Sequence, residues 1–249
     1  MSWVLLRGLT REARHWDALP DRLARTLESG QVVTLDLPGN GVFHDQLSPA
    51  SVRGMVDFAR HRLQHQGIPP PWNLLAMSLG GMMAADWAQR YPEEVARLVL
   101  INTSMRPFNS LTERLRPASW PQLATLAARW HDAPRAERAI HRLTCQETAL
   151  READIAAWVH IRHTAPVSLA NAGRQLAAAA RFSCARQAPP CPVLVLSSSA
   201  DRLVDPRCSQ RLAAAWQASH QIHPWAGHDL PHDDAGWVCR RIARWLARI

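Results

Sequence analysis

The chain has no lysine; its 29 basic side chains other than histidine are all arginines. That excludes a lysine Schiff base and any phosphate cradle built on a Walker-type lysine. No apolar run approaches the roughly 20 residues needed to cross a bilayer. The opening Met1-Ser2-Trp3-Val4-Leu5-Leu6 leads straight into an apolar segment, with no basic leader or small-residue cleavage site. The cytoplasm is therefore the expected compartment. The five cysteines are odd in number and show no C-x-x-C pair. They read as reduced thiols packed as small apolar groups, and no zinc, other metal or cofactor is expected.

Charge is abundant but uneven. Residues 103 to 190 hold twelve arginines against six acids, a surplus of six out of a net +8. A basic patch can attract nucleic acid or anionic small molecules. There is no basic block, no aromatic-basic stacking motif and no known nucleic-acid module, so nucleic acid is not an expected partner. A base-composition bias explains the all-arginine set at least as well as function does. With 249 residues and 47% hydrophobic side chains, the chain can bury one large core.

Apolar runs alternate with helix-period segments. Strands are predicted over Val4–Leu6, Val32–Asp36, Trp72–Met77, Leu98–Asn102, a run from Pro192, and His220–His223. Helices are predicted over Trp16–Ser29, Pro49–Gln66, Ser78–Arg90, Pro206–Gln217 and Asp233–Arg248. This rhythm implies an α/β fold with three layers, a mostly or all-parallel sheet of about six strands between helices. Residues 103–188 break the rhythm. They are rich in alanine, arginine and tryptophan, are interrupted by prolines, and read as three to five short helices.

The chemistry concentrates at three places. Leu74-Leu75-Ala76-Met77-Ser78-Leu79-Gly80-Gly81 has an apolar lead-in, small residues around one serine, and a helical continuation. That is the A-x-S-x-G form of a nucleophile elbow, the sharp strand-to-helix turn that lifts a hydroxyl above a sheet edge. Val193-Leu194-Val195-Leu196 runs into Ser199-Ala200-Asp201-Arg202-Leu203-Val204-Asp205. Ile222-His223-Pro224-Trp225-Ala226-Gly227-His228-Asp229 follows the last predicted strand. Serine, then aspartate, then histidine is an order distinct from that of the chymotrypsin and subtilisin types.

These motifs resemble those of the α/β-hydrolase superfamily. Val4-Leu5-Leu6-Arg7-Gly8-Leu9 resembles its strand ending in an HG pair, and Asp36-Leu37-Pro38-Gly39-Asn40-Gly41 resembles its D-x-P-G-x-G loop. Arg90-Tyr91-Pro92 through Ile101 resembles the end of its nucleophile helix and the next strand. The resemblance spans nearly the whole chain and is weakest in the middle third. It implies a core of 1–102 and 189–249, with 103–188 inserted as a helical cap. It also implies Ser78 as nucleophile, His228 as base and Asp201 as the acid that orients it. The backbone N–H groups of Leu9 and Leu79 would form the oxyanion hole.

Within each role alternatives stand. His232 and His223 read as rim or packing histidines, since only His228 completes the G-H pair. Asp205 competes with Asp201, but its place before Pro206 suits a helix cap. Asn102 occupies the position where some relatives keep the acid. Asp36 and Asp229 read as loop anchors, and Arg11 and Glu12 as possible contacts to a polar substrate group. Two departures are plain: Ala76 replaces the first glycine of the elbow, and Arg7 replaces the histidine of the HG pair.

The resemblance implies a serine hydrolase acting on a small carboxylic ester or related acyl bond, an anionic acyl group being one option. A carbon–carbon bond hydrolase would use the same triad. A non-catalytic binding protein on the same fold is the reading that the Ala76 and Arg7 departures favour. The sequence does not set the oligomeric state.

Overall fold

The computed structural model of the chain describes residues 1–27 and 30–249. Strands β1 (Trp3–Leu6), β2 (Val32–Leu35), β3 (Trp72–Met77), β4 (Val95–Ile101), β5 (Val193–Ser198) and β6 (Ser219–His223) form one sheet in the order β2-β1-β3-β4-β5-β6. Every pairing is parallel. The helices are α1 (Leu19–Leu27), α2 (Val52–His65), α3 (Leu79–Arg90), α4 (Leu111–Arg114), α5 (Trp120–Ala128), α6 (Ala133–Thr144), α7 (Arg151–Thr164), α8 (Leu169–Arg181), α9 (Arg207–Trp216), α10 (Leu230–Asp233) and α11 (Ala235–Leu246). None of them is long and apolar enough to cross a membrane.

The strands are short apolar runs because both sheet faces are covered. Successive residues point to opposite sides. Val4, Leu6, Leu74, Ala76, Leu98, Leu100, Val193 and Val195 join one buried cluster with α2, α3 and α9. Trp3, Leu5, Leu75, Met77, Val99, Ile101, Leu194 and Leu196 join the other with α1 and α11. In α11, Trp237, Ile242 and Trp245 face that second cluster, as helical spacing predicts. The order reverses around β1 and β3, so the crevice at their carboxyl ends is the topological switch point where ligands bind in such sheets.

Some boundaries move for local reasons. The first helix does not start at Trp16. A 3-10 turn covers Ala13–Trp16, and Asp17, at φ 47, turns the chain before α1 begins at Leu19. The predicted end of that helix at Ser29 lies outside the described residues. Helix α2 starts at Val52, not Pro49, because the Ser51 hydroxyl accepts the Gly54 N–H as an N-cap. Strand β4 begins three residues early, at Val95, directly off a 3-10 turn at Pro92–Glu94. The last predicted helix starts two residues late, at Ala235, because the Asp234 side chain caps α11 by accepting from Trp237 N–H; the separate short α10 ends just before it.

Between β4 and β5, helices α5 to α8 carry a buried cluster of their own, with Trp130, Ile140, Trp158 and Ile161 at its centre. Side chains of the 103–188 segment bond to loops that follow the strands: Gln175 accepts Thr10 N–H, Glu137 accepts from Arg11, and Arg116 donates to the Asp201 carbonyl.

Candidate active site

The carboxyl edge is where the backbone is least relaxed. Three of the residues with positive φ other than glycine follow strands there: Thr10 at 59° after β1, Ser78 at 54° after β3 and Asn102 at 45° after β4. Such conformations cost on the order of 1–3 kcal/mol each and persist only where surrounding structure enforces them. At Ser78, with ψ −117°, the chain leaves β3 and enters α3 in a single residue. The elbow closes because its neighbours are small. A Cβ at Gly80 would run into the Leu6 carbonyl oxygen, and one at Gly81 would lie 2.7 Å from the Thr103 side chain. Ala76, by contrast, is a β3 residue paired with Leu6, where a buried methyl is accommodated.

Gly8 brings the loop after β1 against the serine: its ideal Cβ would stand 3.2 Å from Ser78 Cβ. Leu9 follows at once, and Leu79 opens α3, whose first-turn N–H groups have no intrahelical acceptor. The backbone of both residues therefore belongs to the rim around Ser78.

The structure brings His228 and Asp201 together: Nδ1 of the imidazole and Oδ2 of the carboxylate are 2.7 Å apart, with both side chains buried. The other oxygen, Oδ1, accepts the N–H groups of Leu203 and Val204 at 2.8 and 2.9 Å. With its outer oxygen spent on backbone, Asp201 presents a fixed acceptor, and Nδ1 carries the proton. Burial is the largest single influence on His228 and opposes its protonation, but the Asp201 charge, the Asp201 hydrogen bond and the Asp229 charge together outweigh it and hold the imidazole above its ordinary value of 6.5. No hydrogen bond joins His228 to Ser78 Oγ among the described residues; such bonds commonly tighten only when substrate is bound.

The alternatives fall elsewhere. Asp205 pairs with Arg207 and accepts its N–H at the start of α9. His223 is buried and accepts the Ala226 N–H on Nδ1. His232 points away toward α7, 3.2 Å from Asp154. Asp36 receives Ala13 N–H and Val42 N–H, so it joins two loops. Glu12 binds Arg14, and Arg11 binds Glu137 at 2.7 Å while lying over the Trp158 ring. Both are occupied by protein partners.

Three residues, Arg7, Asn102 and Gln175, do work here that the sequence did not assign to them, and Asp229 anchors a loop as its sequence context predicts. Arg7 and Asp229 form a two-pronged buried pair at 2.6 and 3.1 Å. It ties the loop after β1 to the histidine loop and holds the Asp229 carboxyl at about 2, Arg7 outweighing the cost of burial. Asn102 donates to the carbonyl of His228 at 2.8 Å and of Gly227 at 3.2 Å, while its own oxygen accepts Ser198 N–H. Gln175, from α8, accepts Thr10 N–H at 2.8 Å beneath the loop that carries Leu9. Arg7, Asn102 and Asp229 stood out in the sequence as a departure from a motif, a polar residue directly after a strand and a loop anchor, whereas Gln175 left no trace.

A strand order that reverses at β1 and β3, a strained serine at that point, and a buried histidine–aspartate pair on later loops define a class. The profile of a family described as "alpha/beta hydrolase fold" matches residues 4–235. The chain belongs to the alpha/beta hydrolase fold family and is an α/β-hydrolase.

Among its relatives, a pimeloyl-[acyl-carrier protein] methyl ester esterase of Chromobacterium violaceum is 34% identical over 108 residues, covering 43% of this chain and 37% of that one. A protein of Variovorax paradoxus named as a candidate carbamate hydrolase is 28% identical, with 99% of this chain and 91% of the relative covered. The methyl ester esterases, the homoserine O-acetyltransferases and a biotin biosynthesis bifunctional protein are matched only in part, over 15% to 42% of their lengths. The enol-lactonase from Burkholderia xenovorans LB400 superposes with a TM-score of 0.77 at 19% identity, covering 99% and 91% of the two chains. That likeness speaks to the fold.

Proposed function

We propose that this chain is a serine hydrolase that cleaves a small carboxylic ester or related acyl bond through an acyl-enzyme. The observation that carries the reading is the strained Ser78 backbone at the head of α3, on the same sheet edge as the 2.7 Å His228–Asp201 pair. A serine hydroxyl is a weak nucleophile until a base takes its proton. In this reading Ser78 Oγ attacks the carbonyl carbon and its proton passes to His228 Nε2. Asp201 stabilises the imidazolium through Nδ1–H. The oxyanion is met by the N–H groups of Leu9 and Leu79, each such donor contributing about 10²–10³ in rate. Collapse expels the alcohol, which leaves with the proton from His228. Water then repeats the sequence and frees the acid. The helices between β4 and β5 act as a cap that closes the site from above.

The ester-cleaving relatives support an ester over other acyl bonds. The arginine surplus of residues 103–190 supports an anionic acyl chain. The decisive experiment is labelling with a fluorophosphonate together with turnover of p-nitrophenyl esters. One label per chain, on Ser78, is expected, with turnover falling by about 10⁴ or more in Ser78→Ala. Full activity in Ser78→Ala would sink the mechanism. A panel of acyl chains with and without a terminal carboxylate then tests the anionic preference.

A further inference from the structure

The fold gathers a second cluster beyond the triad. His141 near the end of α6, Cys145 just after it and His232 on α10 offer ligand atoms that all lie within 4.8 Å of one another. No sequence spacing announces this, because residues 145 and 232 meet only through the fold. His141 is fully buried, yet neither of its ring nitrogens has a hydrogen-bond partner among the described residues. A buried imidazole with a hydrogen bond on neither nitrogen is costly and rare in native structures. Trp158 packs edge-on or tilted against both imidazoles, at 5.1 and 5.4 Å between ring centres. Aromatic packing accounts for the rings being adjacent but gives neither nitrogen of His141 a hydrogen bond.

The carboxylate of Asp154, on α7, stands 3.2 Å from His232 Nε2 and 3.6 Å from His141 Nε2. A carboxylate set against two imidazoles is how metal-binding histidines are oriented from outside the coordination shell. We propose that His141, Cys145 and His232 bind one zinc ion, with Asp154 orienting both rings. Two imidazole nitrogens and one thiolate suit zinc, whose bonds of about 2.0–2.3 Å place neighbouring ligand atoms within about 4 Å of each other. The side chains therefore need to draw in by about 1 Å, which rotamer adjustment supplies. On binding, the Cys145 thiol loses its proton to solvent, so one proton is released as one zinc–sulfur and two zinc–nitrogen bonds form. The ion would fasten the end of α6 to α10, the turn that begins two residues after His228. It does not depend on what Ser78 does.

The test uses metal binding, not turnover. The chelator-treated full chain is dialysed against zinc, its metal content measured, and its cobalt(II) spectrum recorded, with far-ultraviolet circular dichroism as the folding control. One zinc per folded chain is expected, with a melting temperature that rises with zinc concentration. The cobalt form is expected to show a sulfur-to-metal charge-transfer band that Cys145→Ser abolishes. Asp154→Asn is expected to weaken zinc binding by about 10–100-fold. Folded wild-type chain that retains no zinc after dialysis, or a cobalt spectrum without a thiolate band, would overturn the site. So would an unchanged band in Cys145→Ser. Where a variant does not fold, the wild-type stoichiometry and cobalt spectrum decide alone.

Discussion

At the carboxyl edge of the sheet, backbone torsions, N–H groups and carbonyls set Ser78, Asp201 and His228, with the Asn102 amide and the Arg7–Asp229 pair tying their loops; across the seam to helices α4–α8, long polar and charged side chains do most of the positioning. Ser78 is aimed by its own φ and by the Leu6 carbonyl that allows only glycine at position 80. Asp201 is held by two peptide N–H groups, and His228 by the Asn102 amide on its carbonyl. The seam is different. Glu137 on α6 takes Arg11 at 2.7 Å and Arg162 at 2.6 Å, both arginines lying over tryptophan rings. Arg116 reaches the Asp201 carbonyl, and Gln175 reaches the loop after β1. Backbone-set geometry has no rotamers to lose and tolerates no bulk. Side-chain-set geometry tolerates bulk and fails when a charge is removed.

Gly80→Ala attacks the first kind of positioning and should have the largest effect. The added methyl meets a backbone carbonyl on β1 that cannot swing aside. A core clash of this kind falls among the most damaging substitutions, beyond about 4 kcal/mol. The expected result is loss of soluble, cooperatively melting protein. A well-folded Gly80→Ala variant would mean that the elbow is softer than its packing implies.

Asp201→Asn keeps the volume and removes the charge. Only neutral His228 can take a proton, so activity is lost as pH falls through the imidazole pKa. With Asp201 holding that value up, the acidic limb of kcat/KM should lie above 6.5 in the wild type. In Asp201→Asn, burial becomes the dominant influence and the limb should move to lower pH, with kcat reduced by about 10⁴. A limb that stays in place would show that Asp201 does not govern the base.

Glu137→Gln breaks the second kind. It leaves two largely buried guanidiniums facing one neutral amide, and the amide NH₂ cannot accept from either. Removing one partner from a buried pair costs about 3–5 kcal/mol. The urea midpoint should drop accordingly with an unchanged m-value.

The same contrast explains what could be read in advance. Strand runs, glycines at turns and the Ser78, Asp201 and His228 motifs are local in the chain, because backbone geometry leaves a local signature. The all-parallel sheet of six strands followed from them. The Arg7–Asp229 pair spans 222 positions and Arg11–Glu137 spans 126. No spacing in the sequence encodes which arginine meets which acid. Arg11 therefore read as a candidate substrate contact, whereas it is bound to a helix of the same chain. The start of α1 was missed for a related reason: Asp17 takes a left-handed conformation that its sequence neighbours do not announce.

Gly173 gives the smallest effect and the sharpest control on the first prediction. It lies inside α8, and a Cβ built there meets nothing within 4 Å. Unlike Gly80, it is held by no neighbouring backbone and its conformation is ordinary helix. Alanine at this position removes unfolded-state freedom without adding a clash, a gain of about 0.5–1 kcal/mol. Gly173→Ala should therefore raise the melting temperature slightly and leave ester turnover unchanged. Should Gly173→Ala instead destabilise the chain, α8 would be packed against something its open side does not show, and the division between a backbone-set edge and a tolerant helical segment would have to be redrawn.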